Sequence, residues 1–504
     1  MFSAVKTLKL CLLALALITK LSAKLEIPSI FGDSMVLQQN SENAIWGWAD
    51  AGATVELLWQ DQKLKAQADA DGYWRVQLTT GAASFDPHTL RIASGPAELH
   101  ISDILIGEVW LCSGQSNMQW TVSNSADAQL EKAAAHHPAI RMITVPRVGT
   151  QIPQKDFKGN WQRCTPETVI QFSAVAYYFG RQLHQSLQIP IGLIACSYGG
   201  SAAEAWVQRS TLESDPRFAT ELNSWKAREA NFDYQTVLAQ WREKVEKARA
   251  NNEKAPRKPR NLLTSQGRPG NLWAGMLQPI IGYGIRGTIW YQGEANAGRA
   301  HNYNALFSRL IREWRQAWGL GDFPFYWVQL ADFRAESTQP RRSTWAELRE
   351  AQTQTLELPN TGQAVIYDLG EGRDIHPRNK QGVGKRLARI ALARDYGLQV
   401  PYLNPQFKSM AIERDTITLS FEHVGSHLYT FDVKTAIGFV VAGEDQVWHP
   451  ATARLTSKST IEVMCEQVPN PVAVRYAWAD NPVANVYSRE GLPLTPFRSD
   501  NWDN

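Results

Sequence analysis

Residues Trp110 to Trp120 read WLCSGQSNMQW, an apolar run that ends in Gly114, Gln115, Ser116 and Asn117, where the chain must turn. Ile104 to Cys112 reads as a buried strand, and Gln119 onward, through Lys132, reads as helix. A serine on a tight turn between strand and helix is presented as a nucleophile is. In open α/β sheets the functional crevice lies beyond the carboxyl ends of the strands, and a helix starting there aims free backbone N–H groups at developing negative charge. The competing role for Ser116 is a helix cap, which serine fills well. Residues elsewhere in the chain must decide between the two.

Outward from this segment, strands and helices alternate from Ile104 to about Gly397. Strands are read at Arg141 to Val145, Ile191 to Cys196, Gly287 to Tyr291, Phe325 to Leu330 and Gln363 to Asp368. Helices are read at Ser173 to Leu187, Tyr303 to Trp318, Thr344 to Leu356 and Gln381 to Tyr396. Such alternation predicts an α/β core with a parallel sheet between helical layers. Residues 24–103 and 401–504 are alternating and turn-rich, and read as antiparallel β regions flanking a catalytic domain over 104–400. Within that domain 221–260 is a polar, lysine- and arginine-rich stretch, taken as a solvated helical insertion with a loose loop.

The first 23 residues carry Lys6 and Lys9, an apolar run from Leu10 to Ile18 and small residues at Ser22 and Ala23, the layout of a secretory signal peptide. They hold Lys6, Lys9 and Lys20 and no acid, so their removal takes the formal charge from +3 to zero. A neutral mature chain gives no reason to expect nucleic acid or an anionic membrane as partner. The expected destination is periplasmic or secreted. About 480 mature residues allow an ample core. Five cysteines are too few for a disulfide scaffold, and Cys112, Cys164, Cys196 and Cys465 lack metal-ligand spacing, so buried free thiols are expected, with room for one disulfide. Nineteen tryptophans are many, and exposed ones suit the flat faces of sugar rings.

A serine hydroxyl needs a base, usually a histidine oriented by a carboxylate. Of ten histidines, His376 stands out because Asp374-Ile375-His376-Pro377 follows a strand and precedes a helix, on the sheet edge where Ser116 lies. Asp374 and His376, two apart in extended chain, project the same way, and Pro377 keeps His376 out of helical angles. A local cap at Asp374 and a surface loop at His376 is the competing reading. Two more loops end at this edge. Ser197-Tyr198-Gly199-Gly200-Ser201 brings glycines whose N–H groups suit an oxyanion, while Ser201 and Glu204 have capping-box spacing. Gln292-Gly293-Glu294-Ala295-Asn296 brings amides, with Gln292 or Asn296 as oxyanion donor, and Glu294, an acid that supports the site by orienting His376, positions a substrate hydroxyl or caps the next helix.

Loops carrying Ser, Gly-Gly, Gln-Gly-Glu and Asp-x-His in this order resemble the SGNH (GDSL-like) hydrolases. GQSNM, SYGGSAAEAW, IRGTIWYQGEANA and DIHPRNKQGVGKRLA, with FGDSMVLQQ, WGWADAG and YAWADNPVANVYSREGLPLTPFR, are similar to the sialate O-acetylesterase family over nearly all of the mature chain. The resemblance implies an SGNH-type three-layer core, and hydrolysis of acetyl esters on sugar hydroxyls through an acetyl-serine. It assigns Ser116 as nucleophile, His376 as general base and then acid, and Asp374 as its orienting carboxylate. It places the N–H of Ser116, the N–H of Gly200 and the Gln292 side chain in the oxyanion hole, and it needs no metal or cofactor. The chain departs from the wider pattern in two places. One residue rather than two separates Asp from His, which makes Glu294 a rival third member. Gln-Gly-Glu replaces Gly-x-Asn-Asp, which leaves Gln292 and Asn296 both open. The expected substrate is an O-acetylated sugar: sialic acid, with Arg334 suited to its carboxylate, or acetylated xylan or a similar polysaccharide. A different class is a carbohydrate-binding protein with an inactive core.

Overall fold

The computed structural model of the chain describes residues 24–337 and 340–502, so the signal segment at 1–23 lies outside the described residues. Its organising element is the strand Ala97–Gly114, eighteen residues long. The first part alternates between covered and wet positions and pairs antiparallel with Ser84–Ser94. From Ile104 every residue is buried. That change of period follows from covering: one face of the first part meets water, while helices close both faces of the second. The change falls just after Asp103, at φ 56°, whose carboxylate is held by Arg141 and by Ser34 Oγ at 2.6 Å.

The order across the sheet is Gln162–Cys164, His137–Thr144, Ile191–Ser197, Ala97–Gly114, Gly287–Tyr291, Phe325–Val328, Thr361–Ala364, all parallel except the first. From the central strand the chain fills one side, laying Ile191–Ser197 next to the centre last, and then crosses to the other side, so the topological switch lies at Gly114. Ser197 and Tyr291 are both in register with Gly114, which brings the loops after these three strands to one rim. Trp110, Cys112, Ile289 and Tyr326 pack with helices Ala174–Leu187 and Lys380–Arg394 on one face. Leu111, Ile194, Trp290 and Trp327 pack with Tyr303–Trp318 and Thr344–Gln354 on the other. The α/β three-layer expectation is met.

Several local expectations are corrected. The helix read from Gln119 through Lys132 is two separate pieces, one turn at Ser116–Gln119 and a helix at Ala128–Ala134. Trp120 leaves helical angles because its carbonyl accepts from Ala174 N at 2.8 Å while Thr121 bridges to Ser173, so tertiary pairing outweighs helix propensity. The strand read over Gln363 to Asp368 forms a ladder only over Thr361–Ala364. Val365 and Tyr367 are apolar for another reason: they enter the core of the C-terminal β region. The Ser201–Glu204 capping box does not form, since Ala202 caps the short helix Ala203–Trp206 while Ser201 Oγ accepts from Trp206 Nε1 at 3.0 Å.

The 221–260 stretch carries the helices Ala219–Ala230 and Tyr234–Ala250, with Leu222, Trp225 and Leu238 buried. Two four-stranded antiparallel sheets make up most of the C-terminal region, and among the described residues none of their strands pairs with an N-terminal one. Cys112, Cys164 and Cys196 are buried free thiols and Cys465 is a half-buried one. Among the described residues no helix is long and apolar enough to cross a membrane.

Candidate active site

The turn at Ser116 is pinned from both sides. Gln115 N donates to Tyr291 O at 2.9 Å, and Tyr198 N donates to Gly114 O at 3.1 Å. Gly114 has φ 139°, and a Cβ there would lie 2.1 Å from Tyr291 O, so only glycine lets the strand end this close to its neighbour. Gln115 occupies the cap position, and its side chain makes no cap bond. Ser116 is therefore the first helical residue, not the cap, and its Oγ faces outward to His376 Nε2 at 2.9 Å. Among the described residues no acceptor faces the backbone N–H of Ser116 or Gly200. Gly200 has φ 70° and is exposed; the glycine of this loop that meets the turn is Gly199, where a Cβ would lie 3.4 Å from Ser116 Cβ and whose N–H donates to Gln119 Oε1 at 2.7 Å.

His376 is held on three sides. Asp374 Oδ1 accepts from its backbone N at 2.9 Å and lies 3.6 Å from its Nδ1, with the carboxylate side chain 54% exposed. That contact is an ion-pair distance rather than a hydrogen bond, which apo sites often show. The ring stacks on Trp120, with centroids 4.7 Å apart and planes 10° off parallel. Burial holds the imidazole below its ordinary proton affinity, Lys380 lowers it further, and Asp374 opposes both. The ring is thus neutral, and able to accept a proton, at neutral pH.

The remaining sequence candidates divide differently. Gln292 is fully buried, and its Nε2 donates to Ser201 O at 3.1 Å and to Asn296 Oδ1 at 2.7 Å, while its Oε1 accepts from Tyr303 OH at 2.8 Å. Both amide hydrogens are used internally, so the Gln292 side chain is not available as an oxyanion donor. Asn296, 1% exposed, is also turned inward: Nδ2 donates to Glu204 Oε2 at 2.9 Å, and Oδ1 accepts from Ala203 N at 3.0 Å. These amides tie the loop ends together. Replacing Gln292 by leucine removes three buried hydrogen bonds, to Ser201 O, Asn296 Oδ1 and Tyr303 OH, and should lower unfolding free energy by about 2 to 5 kcal/mol. Turnover per folded molecule should stay within about tenfold, against the roughly 10² to 10³ lost with a true oxyanion donor. Denaturant melts and active-site titration of the same preparation check this. Glu294 does not reach His376 as an orienting carboxylate; its Oε1 accepts from Asn117 Nδ2 at 2.5 Å. Arg334 is paired with Asp480 at 2.9 Å and does not line the cleft.

The Ser116 and His376 side chains open onto a cleft of about 960 Å³ lined also by Gln119, Trp120, Arg147, Tyr198, Tyr234 and Arg260. No aspartate or glutamate lines it, and neither arginine has an acidic partner among the described residues. Tyr234 and Arg260 belong to the insertion, which therefore walls the site rather than standing clear of it. Sequence reasoning missed this wall, and it missed Asn117 and Lys380 behind the serine. The only available signal was their place inside GQSNM and DIHPRNK.

A family of carbohydrate esterases, the sialic acid-specific acetylesterases, matches residues 106–267 and 274–393. Mouse sialate O-acetylesterase is 29% identical, with 93% of each chain covered. The human sialate O-acetylesterase is 28% identical over 93% of this chain and 91% of its own. Among solved structures, a carbohydrate acetylesterase from Xanthomonas citri superposes with a TM-score of 0.80 at 35% identity, covering 95% of this chain and all of the other.

Proposed function

Because the chain belongs to the sialic acid-specific acetylesterase family of carbohydrate esterases, we propose that the acetylated sugar it acts on carries a carboxylate, as sialic acid does, and that Ser116 and His376 carry out the hydrolysis. Carbohydrate O-acetylesterase activity itself follows from the family and from the related acetylesterases. The observation that carries the mechanism is the contact of 2.9 Å between Ser116 Oγ and His376 Nε2 at the floor of a large cleft. A binding protein with an inactive core has no use for a hydroxyl and a neutral imidazole in proton-transfer contact.

His376 Nε2 takes the proton of Ser116 as Oγ bonds to the acetyl carbonyl carbon. The carbonyl electron pair moves onto oxygen, where the N–H groups of Ser116 and Gly200 receive it. Asp374, beside Nδ1, favours the imidazolium that forms. Collapse breaks the bond to the sugar oxygen, which leaves with the proton from His376, and acetyl-serine is left behind. Water then gives a proton to His376 and bonds to the same carbon. Acetate departs and Ser116 Oγ is reprotonated. No step requires a metal. The apolar and basic pattern of residues 1–23 supports an exported, periplasmic or secreted, enzyme.

The carboxylate reading rests on the cleft's charge: Arg147 and Arg260 line it, with no acid among the lining residues. Trp120, Tyr198 and Tyr234 offer rings for the sugar faces. Replacing Arg147 or Arg260 by alanine should raise KM for O-acetylated sialic acid about tenfold, the worth of one charge-assisted hydrogen bond. On 4-nitrophenyl acetate, which has no carboxylate, the change should stay under about threefold. Acetate release measured on O-acetylated sialic acid and on acetylated xylan checks the substrate. Faster release from xylan, unaffected by either arginine, replaces the carboxylated sugar by a neutral polysaccharide.

A further inference from the structure

Behind the nucleophile lies a set of charged groups that the reaction as written does not use. Lys380, the first residue of helix Lys380–Arg394, is completely buried. Its Nζ donates to Asn117 Oδ1 and lies over the Tyr291 ring at 5.3 Å and the Trp120 ring at 6.0 Å. On the other side of the same amide, Asn117 Nδ2 donates to Glu294 Oε1 and, at 2.9 Å, to Ile375 O. Glu294 Oε2 is buried without a hydrogen-bond partner among the described residues. No direct contact joins lysine and glutamate, so one carboxamide stands between a cation and an anion.

This arrangement has a specific consequence. An ammonium only donates and a carboxylate only accepts, so the pair fixes which end of the Asn117 amide is oxygen and which is nitrogen. The nitrogen end then holds the carbonyl of Ile375, the residue before His376, while Asn117 itself follows Ser116. One amide thus sets the separation of nucleophile and base. The same ammonium lies over Trp120, on whose other contact the His376 ring stacks.

We infer that Lys380 is a positioning residue for the hydrolysis, acting through Asn117 and paired across it with Glu294 to hold Ser116 against His376. Burial brings the Lys380 amine down to about 7, with Glu294, Asp374 and Glu371 opposing, and it pushes the Glu294 carboxyl above its ordinary value, with the bond from Asn117 and the charge of Lys380 opposing. The other charged groups near His376 are Asp374 beside Nδ1, Arg373 and the Glu371–Arg378 pair on its own loop, and Arg147 and Arg260 across the cleft. This inference rests on the reading of His376 as the base.

The test is the pH profile of kcat/KM on 4-nitrophenyl acetate for Lys380→Met and Glu294→Gln in the full-length protein, with thermal unfolding to verify folding. Lys380→Met removes a cation near the imidazole, so the proton affinity of His376 rises and the acid limb should move up by about half a pH unit or more. kcat should fall about 10- to 100-fold, the effect of a slightly misplaced base, with KM within about twofold. Glu294→Gln keeps the shape and the bond from Asn117 but removes the anion, so its limb should move the opposite way. Should Lys380→Met fail to fold, the downward shift in Glu294→Gln still supports the inference, and an unmoved or upward limb overturns it. With both folded, limbs that coincide with wild type, or that move together, reduce Lys380 to a packing residue. An acid limb missing from the unmodified enzyme refutes instead the assignment of His376 as base.

Discussion

Ser116→Ala is expected to lower turnover on an acetylated sugar by about 10⁵- to 10⁶-fold, as loss of the nucleophile does in serine hydrolases. Among the described residues the hydroxyl has one protein partner, His376 Nε2, and it lies at the cleft rather than in a core. Its removal leaves no buried polar group unmatched, so unfolding free energy should change by less than about 0.5 kcal/mol. The residual rate is also informative. The backbone N–H groups of Ser116 and Gly200 survive the substitution, so the variant should still exceed the uncatalysed reaction by about 10³ to 10⁴. Acetate release under saturating substrate, with a melting curve of the same sample, checks both halves. A folded variant keeping more than about a hundredth of wild-type turnover is incompatible with acyl transfer to this serine.

The residues that carry this prediction were legible because they are local. Gly114, Gln115 and Ser116 follow a fully apolar strand, and Asp374 and His376 lie between a strand and a helix, so period and order alone place them on one rim. The amides were not. Whether Gln292 points at substrate or inward depends on Tyr303 and Ser201, which meet its side chain only after a following helix and a distant loop have packed, with Gln352 of a second helix holding its backbone carbonyl. Buried charge is equally hidden: Lys380 in RNKQ reads as the start of a solvated helix, and only Asn117 and two aromatic rings make its burial tolerable. Trp120 shows the same limit in the backbone, since its exit from the helix is caused by pairing with a segment more than fifty residues away. The polar composition of 221–260 indicated helices, but it could not show that Tyr234 and Arg260 return to the cleft.

His376→Ala should match Ser116→Ala in the size of its loss, about 10⁶-fold, and the double variant should be no worse than either alone, because a base without a nucleophile and a nucleophile without a base are equally idle. No neighbouring group can take over. Asp374 lies on the Nδ1 side of the ring, away from Ser116 Oγ, while Glu294 and Lys380 are both committed to Asn117. The pH dependence must change with the rate. In the unmodified enzyme kcat/KM rises as the imidazole loses its proton, and burial together with Lys380 lowers that rise from the ordinary histidine value, with Asp374 opposing. Activity is therefore retained into mildly acidic conditions and lost as pH falls through the folded value. In His376→Ala the group that titrates is gone, so whatever rate is left should climb with hydroxide and show no plateau between pH 5 and 8. Losses that multiplied in the double variant would mean that Ser116 and His376 act separately, and the proton transfer between them would have to be abandoned.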